Sequence, residues 1–366
     1  MKVPFLDVRA TYQVLKPELD AAVARVLESG WYILGAEVTA FETQFAAYVN
    51  ANHCVGLGNG LDALTLGLRA MDVQPGDEVL VPSNTFIATW LAVSMVGAIP
   101  VPVEPLERTY NLDPTQIEAA ITPRTKVILP VHLYGQPVDL SPVLEIAKRH
   151  RLLVLEDAAQ AQGAKYFNVR VGAHGDAVAW SFYPGKNLGA LGDAGALTTH
   201  HPELAERVRT LANYGSKIKY VHEVQGVNSR LDPIQAAVLK VKLDYLDAWN
   251  ARRAEIAAFY LSELRSSNLI LPWVPDWALP AWHLFVIRHP RRDALRTHLE
   301  KCGVSTVIHY PTPPHLQTAY LELGLGAGSF PISEAIHREV LSLPIGPHLT
   351  LEQAAFVVDA VRSFTD

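Results

Sequence analysis

One lysine of the chain stands where it can do covalent chemistry. In DAVAWSFYPGKNLGALGDAG an apolar run ends in Ser181-Phe182-Tyr183-Pro184-Gly185-Lys186-Asn187, so Lys186 follows a strand inside a glycine-rich turn, close to Ser181. A lysine that attacks a carbonyl must be partly desolvated, because only the neutral amine is a nucleophile. Taken alone, a lysine placed like Lys186 is more often a solvated loop residue. Upstream, LLVLEDAAQAQG is an apolar strand that ends in Glu156 and Asp157. A carboxylate facing a ligand crevice at a strand end is expensive without a partner, and Asp157 alone reads equally as the cap of a following helix. Two neighbouring strands that end in a carboxylate and in a Ser…Lys pair are far more specific than either part. A carboxylate keeps a pyridine nitrogen protonated, and a neutral lysine forms a Schiff base with an aldehyde. Together they point to pyridoxal phosphate.

Such a cofactor also needs a phosphate cradle. VGLGNGLDAL, from Val55 to Leu64, runs from a strand through glycines into a helix, which places backbone N–H groups and a positive helix end where an anion binds. A dinucleotide fingerprint fits poorly: after Gly56 and Gly58 it needs glycine or alanine at position 61, where Leu61 stands.

Positioning these groups is the work of alternating strands and helices. Leu15, Leu19, Val23 and Val26 recur at helical spacing, as do Phe41, Phe45 and Val49. Strands are expected at Glu78–Val81, Ile99–Val103, Lys126–Pro130, Leu152–Leu155 and Ala177–Phe182, with helices at Thr85–Val96, Pro114–Ile121 and Leu140–Arg149. This order implies a mostly parallel sheet covered on both faces, with ligands at the carboxyl ends of its strands. Beyond the polar loop NYGSKIKYVHEVQGVNSR one long helix is expected from Pro233 into Leu264. A strand (His283–Arg288) and helices at Asp293–Lys301 and Leu351–Ser363 follow. The expected division is a large cofactor-binding domain, 1–245, and a smaller C-terminal domain, 246–366.

Composition removes other classes. Hydrophobic residues make up 49% and charged residues 19%, which excludes global disorder. The net charge of −6 argues against binding nucleic acid by phosphate neutralisation. Cys54 and Cys302, the only cysteines, give no disulfide framework or cysteine-rich zinc site and suit a reducing compartment. No signal peptide or membrane span is legible, so a cytoplasmic protein without a metal is expected.

GNGLDAL, PSNTFIAT, EDAAQAQGA, SFYPGKNLGALGDAGA, NYGSKIKY, GVNSRLDPIQAAVL and HYPTPPHLQ, in this order, resemble the DegT/DnrJ/EryC1/StrS family of sugar aminotransferases, fold-type-I pyridoxal-phosphate enzymes of α/β architecture. The resemblance runs from Val3 to the C-terminus. It implies that Lys186 carries the cofactor as a Schiff base, that Ser181 and the amides of Gly60 and Leu61 bind its phosphate, and that Asp157 pairs with the ring nitrogen. It further implies that Gln160 lies by the ring hydroxyl, that Phe86 stacks on the ring, and that Asn228 reaches the phosphate of the other subunit in a homodimer. Without the motif, Phe86 reads as an ordinary core aromatic. Members with histidine in place of the lysine dehydrate their substrates; Lys186 favours transamination.

The wording around the lysine and in IHYPTPPHLQ looks most like members acting at C-3 of nucleotide-linked (dTDP) 6-deoxyhexoses, with L-glutamate as donor. Tyr183, His309 and Tyr310 then offer neutral groups to the sugar, and Lys217, Lys219 and Arg230 offer cations to the diphosphate. These cations read equally as solvated loop residues, and Arg230 reads also as a holder of the glutamate carboxylate. The rival readings are amination of a 4-keto sugar or a cyclitol ketone, and a cofactor-bound regulatory protein without turnover.

Overall fold

The computed structural model describes residues 1–172 and 174–365. Short apolar runs form mostly buried strands: β1 (His53–Leu57), β2 (Glu78–Pro82), β3 (Ile99–Val103), which is the half-covered edge strand, β4 (Thr125–Ile128) and β5 (Leu153–Asp157). After a small hairpin, β6 (Lys165–Tyr166) and β7 (Val169–Arg170), come β8 (Ala177–Ser181) and β9 (Gly195–Thr199). The main sheet has seven strands in the order β1-β9-β8-β5-β4-β2-β3. β2, β3, β4, β5 and β8 are parallel, whereas β9 pairs antiparallel with both β1 and β8. The sheet is therefore mostly parallel, as the alternation implies. β9, whose sequence GALTT is short and weakly apolar, is the strand that the pattern misses.

Period-2 alternation assigns each side chain of β8 to a face. Ala177 and Ala179 join the core with Leu57, Leu66 and Leu155, and Val178 and Trp180 join Phe41, Phe45 and Leu239 on the other side. Ser181 continues the Ala179 face, where the helix Gly60–Ala70 packs against β8 and β9. Because β5 and β8 are parallel neighbours with Asp157 opposite Ala179, both strands end at the same edge of the sheet.

The expected long helix is two helices, Pro233–Leu243 and Leu246–Glu263, separated at Asp244 and Tyr245. Beyond Leu246 and Trp249, which stay with the first helix, the second serves a different core through Ile256, Ala257 and Tyr260. The first packs on Lys16–Ser29 and Ala36–Tyr48, and the second packs on Leu351–Arg362. A straight helix cannot present its apolar face to both. In the C-terminal part β10 (Ala278–Leu279) adds to the small hairpin, while β11 (Phe285–Arg288) and β12 (Val340–Leu343) pair antiparallel. Ile256, Tyr260, Phe285, Leu299, Leu343 and Val357 form the core there. No described helix is long and apolar enough to cross a membrane.

Candidate active site

A cavity of about 620 Å³ opens at the strand ends, and Gly60, Leu61, Phe86, Asp157, Gln160, Ser181, Tyr183, Lys186, His309 and Tyr310 all line it. Ten of the fourteen residues singled out in the sequence thus converge on one space.

Asp157 ends β5 and is followed by a turn, so no helix is there for it to cap. Its carboxylate is 6% exposed and accepts from the Thr89 hydroxyl (3.0 Å) and the Ala159 amide (3.1 Å). Thr89 Oγ1 in turn meets Thr85 Oγ1 at 3.0 Å. Burial raises the Asp157 pKa, against the pull of these two donors and of the Lys186 charge. A buried carboxylate served only by neutral donors is an acceptor for a cationic N–H.

Lys186 sits in a turn closed by its own amide, which donates to the Tyr183 carbonyl (2.8 Å). Burial lowers its amine to about 8, although the nearby Asp157 charge acts the other way. The next residue anchors the turn. Asn187 donates to Asn250 Oδ1 (2.8 Å) and to the Ala281 carbonyl (2.7 Å), and its own Oδ1 lies 3.1 Å from Nδ1 of His283.

The third element is the amino end of the helix Gly60–Ala70. Asn59 caps it by accepting from the Asp62 amide (2.8 Å), and the Ala63 amide makes the first intrahelical bond, to the Asn59 carbonyl (3.2 Å). The amides of Gly60 and Leu61 precede that bond and have no intrahelical partner. A Cβ on Gly60 would stand 2.7 Å from Ser181 Cβ, so glycine alone lets the turn approach the serine that closely. Ser181 accepts from the Tyr183 amide (3.3 Å) and its carbonyl accepts from Gln162 (2.6 Å), which fixes it against the helix end.

The roof comes from the C-terminal part. Gln160 donates to the Tyr310 hydroxyl (3.0 Å) and accepts from the Tyr134 amide (2.6 Å). Tyr134 donates to the His309 carbonyl (2.5 Å), and Nδ1 of His309 shares a 2.9 Å hydrogen bond with Ser342 Oγ. Burial, aided by the Lys186 charge, pushes His309 down to about 4, and burial pushes the Tyr310 phenol up. Both are neutral hydrogen-bonding groups near pH 7. Phe86 lies 5.2 Å from the Tyr310 ring and is 50% exposed, which is a cavity-wall position and not that of a core aromatic.

Four residues do not join the cavity within one chain. Lys217 is paired with Glu206 (3.4 Å) and Glu223 (3.9 Å), and Lys219 lies over the ring of Tyr220. Arg230 donates to Asn213 Oδ1 (2.9 Å) and lies over Tyr214. Asn228 is exposed and bridges to Asn213.

Sequence reasoning missed other wall residues. Asp193 and Phe5 contribute to the lining, and so do His283 and Arg253. Burial holds His283 well below the ordinary histidine range, helped by the charges of Lys186, Arg253 and His309. Arg253 is an arginine on the helix face that buries Ile256, Ala257 and Tyr260. A charge on an apolar stripe is the signal that would have found it.

The set fits pyridoxal phosphate part by part. Asp157, served only by neutral donors, is an acceptor for a ring N–H, Lys186 is a buried amine, and Gly60 leaves room beside free helix-end amides and a serine hydroxyl. Among the described residues there is no cluster of three or more histidine, cysteine or carboxylate side chains able to hold a metal ion.

Known proteins agree with this geometry. The family model described as the DegT/DnrJ/EryC1/StrS aminotransferase family matches residues 13–362. The erythromycin biosynthesis sensory transduction protein EryC1 of Saccharopolyspora erythraea is 58% identical over 99% of this chain and 100% of its own. The dTDP-3-amino-3,6-dideoxy-alpha-D-galactopyranose transaminase of Aneurinibacillus thermoaerophilus is 55% identical over 99% of each. The crystal structure of DesV from S. venezuelae superposes with a TM-score of 0.98 at 55% identity, covering 100% of both chains. This chain belongs to the DegT/DnrJ/EryC1/StrS aminotransferase family.

Proposed function

We propose that this aminotransferase uses pyridoxal phosphate to move an amine from L-glutamate to C-3 of a dTDP-linked 3-keto-6-deoxyhexose. The observation that carries the reading is the meeting, in one cavity, of a buried amine, a buried carboxylate served by neutral donors, and an open helix end. The name of the Aneurinibacillus relative, a dTDP-3-amino-3,6-dideoxyhexose transaminase, supports the position of amination. The regulatory name borne by EryC1 does not displace it, since Lys186, Asp157 and Ser181 line an open cavity here.

The cofactor supplies an aldehyde that condenses with amines and a ring that accepts an electron pair while its nitrogen is protonated. Every other task falls to the chain. Asp157 holds the proton on the ring nitrogen, with Thr89 and the Ala159 amide fixing its carboxylate. Gly60, Leu61 and Ser181 bind the phosphate. Nζ of Lys186, depressed to about 8, exists partly as free base near neutrality and takes the proton from the donor Cα. Gln160 and Phe86 bound the ring, and Tyr183, His309 and Tyr310 face the sugar hydroxyls and ketone as uncharged donors and acceptors. In this reading the chain divides after residue 245, with 1–245 binding the cofactor and 246–366 supplying the roof.

A coupled assay against nucleotide-linked 3-keto and 4-keto sugars, with the amine located by NMR, tests the substrate. Amination of the 3-keto sugar alone is expected, and His309→Ala is expected to slow the sugar half-reaction at least tenfold (~1.4 kcal/mol, about one hydrogen bond) with the glutamate half-reaction nearly intact. Amination of only 4-keto sugars sinks the assignment.

The segments around residues 31–33 and 214–227 leave Trp31, Tyr32, Tyr214, Ile218, Tyr220 and Val224 exposed, which supports a subunit contact there. In a homodimer Asn228 and the cations Lys217, Lys219 and Arg230 serve the partner's cavity. Mixing Lys186→Ala chains with impaired Asn228→Ala chains is then expected to restore activity, since one site of each mixed dimer has both groups. Absence of rescue despite proven subunit exchange places Asn228 at its own site.

A further inference from the structure

Arg253 is 3% exposed, and among the described residues no carboxylate lies within ion-pair distance of it. Nη1 donates to the carbonyls of Trp282 (3.2 Å), His283 (3.3 Å) and Ile345 (3.3 Å). Nε is buried without a partner, and Nη2 donates no hydrogen bond to any of the described residues. The chain's other deeply buried arginines differ. Arg288 meets Glu107 and Glu339, and Arg292 meets Asp293. Three long contacts to neutral carbonyls compensate a buried guanidinium poorly, and a carboxylate entering the cavity would complete it.

We propose that Arg253 holds the α-carboxylate of the amino donor and so gives the enzyme its preference for α-amino acids over simple amines. The transferred nitrogen and the α-carboxylate share one carbon, so the group that holds the carboxylate must line the same cavity as Lys186. Arg253 does so, beside His283 and His309, and Arg230 does not within one chain. The sugar brings no carboxylate to its reacting carbon, so the demand for a buried cation belongs to the donor half-reaction. The inference rests on glutamate being the donor.

The test compares wild type, Arg253→Lys and Arg253→Gln in the donor half-reaction with L-glutamate and with 4-aminobutyrate, which is glutamate without its α-carboxylate. Losing a charged hydrogen bond is expected to lower kcat/KM for glutamate about 10–100-fold, with 4-aminobutyrate little affected, so the preference collapses. Calorimetric binding of α-methyl-L-glutamate, which has no Cα proton to lose, is expected to weaken by the same factor. The lysine variant keeps a buried cation should the glutamine variant fail to fold. Equal losses with both donors, or unchanged glutamate binding, would make Arg253 a brace for three carbonyls and overturn the assignment. A wild type that takes amine from an amino sugar but not from glutamate overturns the donor reading itself.

Discussion

Replacing Lys186 by alanine is expected to remove the yellow absorbance that borohydride bleaches in the native enzyme and to lower turnover at least about 10²–10⁴-fold, the contribution of a general acid–base group. The expectation follows from placement. Lys186 is the lysine lining the cavity, and burial brings its amine to about 8, where the free base is abundant at mildly alkaline pH. Lys242 is the informative comparison. Burial lowers it to about 8 as well, but it donates to the Gly189 carbonyl (2.6 Å) and does not line the cavity. A shifted amine is therefore insufficient; access to the ligand space decides. Spectra and coupled turnover check the prediction, and a Lys186→Ala enzyme that keeps both band and activity refutes it.

Asp157→Asn is expected to keep some affinity for the cofactor while losing at least about tenfold in rate. The amide oxygen of the variant keeps the Ala159 contact, and the Thr89 hydroxyl can turn to donate to Thr85 and accept from the amide NH2, so the fold around β5 is expected to persist. What it loses is the charge. A neutral amide cannot hold a proton on the ring nitrogen, and a charged hydrogen bond is worth about 1.5–3 kcal/mol. Single-turnover rates at saturating cofactor separate this from weak binding. Near-native turnover in Asp157→Asn would rule out the electron-sink role.

Much of the site was legible because its parts lie at sequence-local signals. Strand β5 ends in Asp157, β8 ends in Ser181 before a glycine-rich turn, and the β1 strand runs through Gly60 into a helix. Each is a change of hydrophobic pattern beside a polar residue. The mostly parallel sheet also follows from the alternation of elements, but the order that sets β5 beside β8 does not, since a hairpin and no helix joins those two strands. Arg253 and His283 escaped for a different reason. For His283 the importance lies in a contact with Asn187, nearly a hundred residues away in the chain, which no local pattern encodes. Arg253, by contrast, carried only the signal of a charge on an apolar helix face, which does not say what the charge serves. The break at Asp244 was likewise hidden, because Pro233–Leu243 and Leu246–Glu263 are each good helices and only their packing on separate cores parts them. The cations Lys217, Lys219 and Arg230 were read from charge alone, and charge does not say which chain's cavity a side chain serves.

The most direct test of the account is reduction of the cofactor-loaded enzyme with borohydride, followed by proteolysis and mass spectrometry. The account predicts the phosphopyridoxyl mass on the peptide containing Lys186, with Lys242 unmodified at stoichiometric loading. Stoichiometric modification of Lys242, or of any lysine other than Lys186, would contradict it.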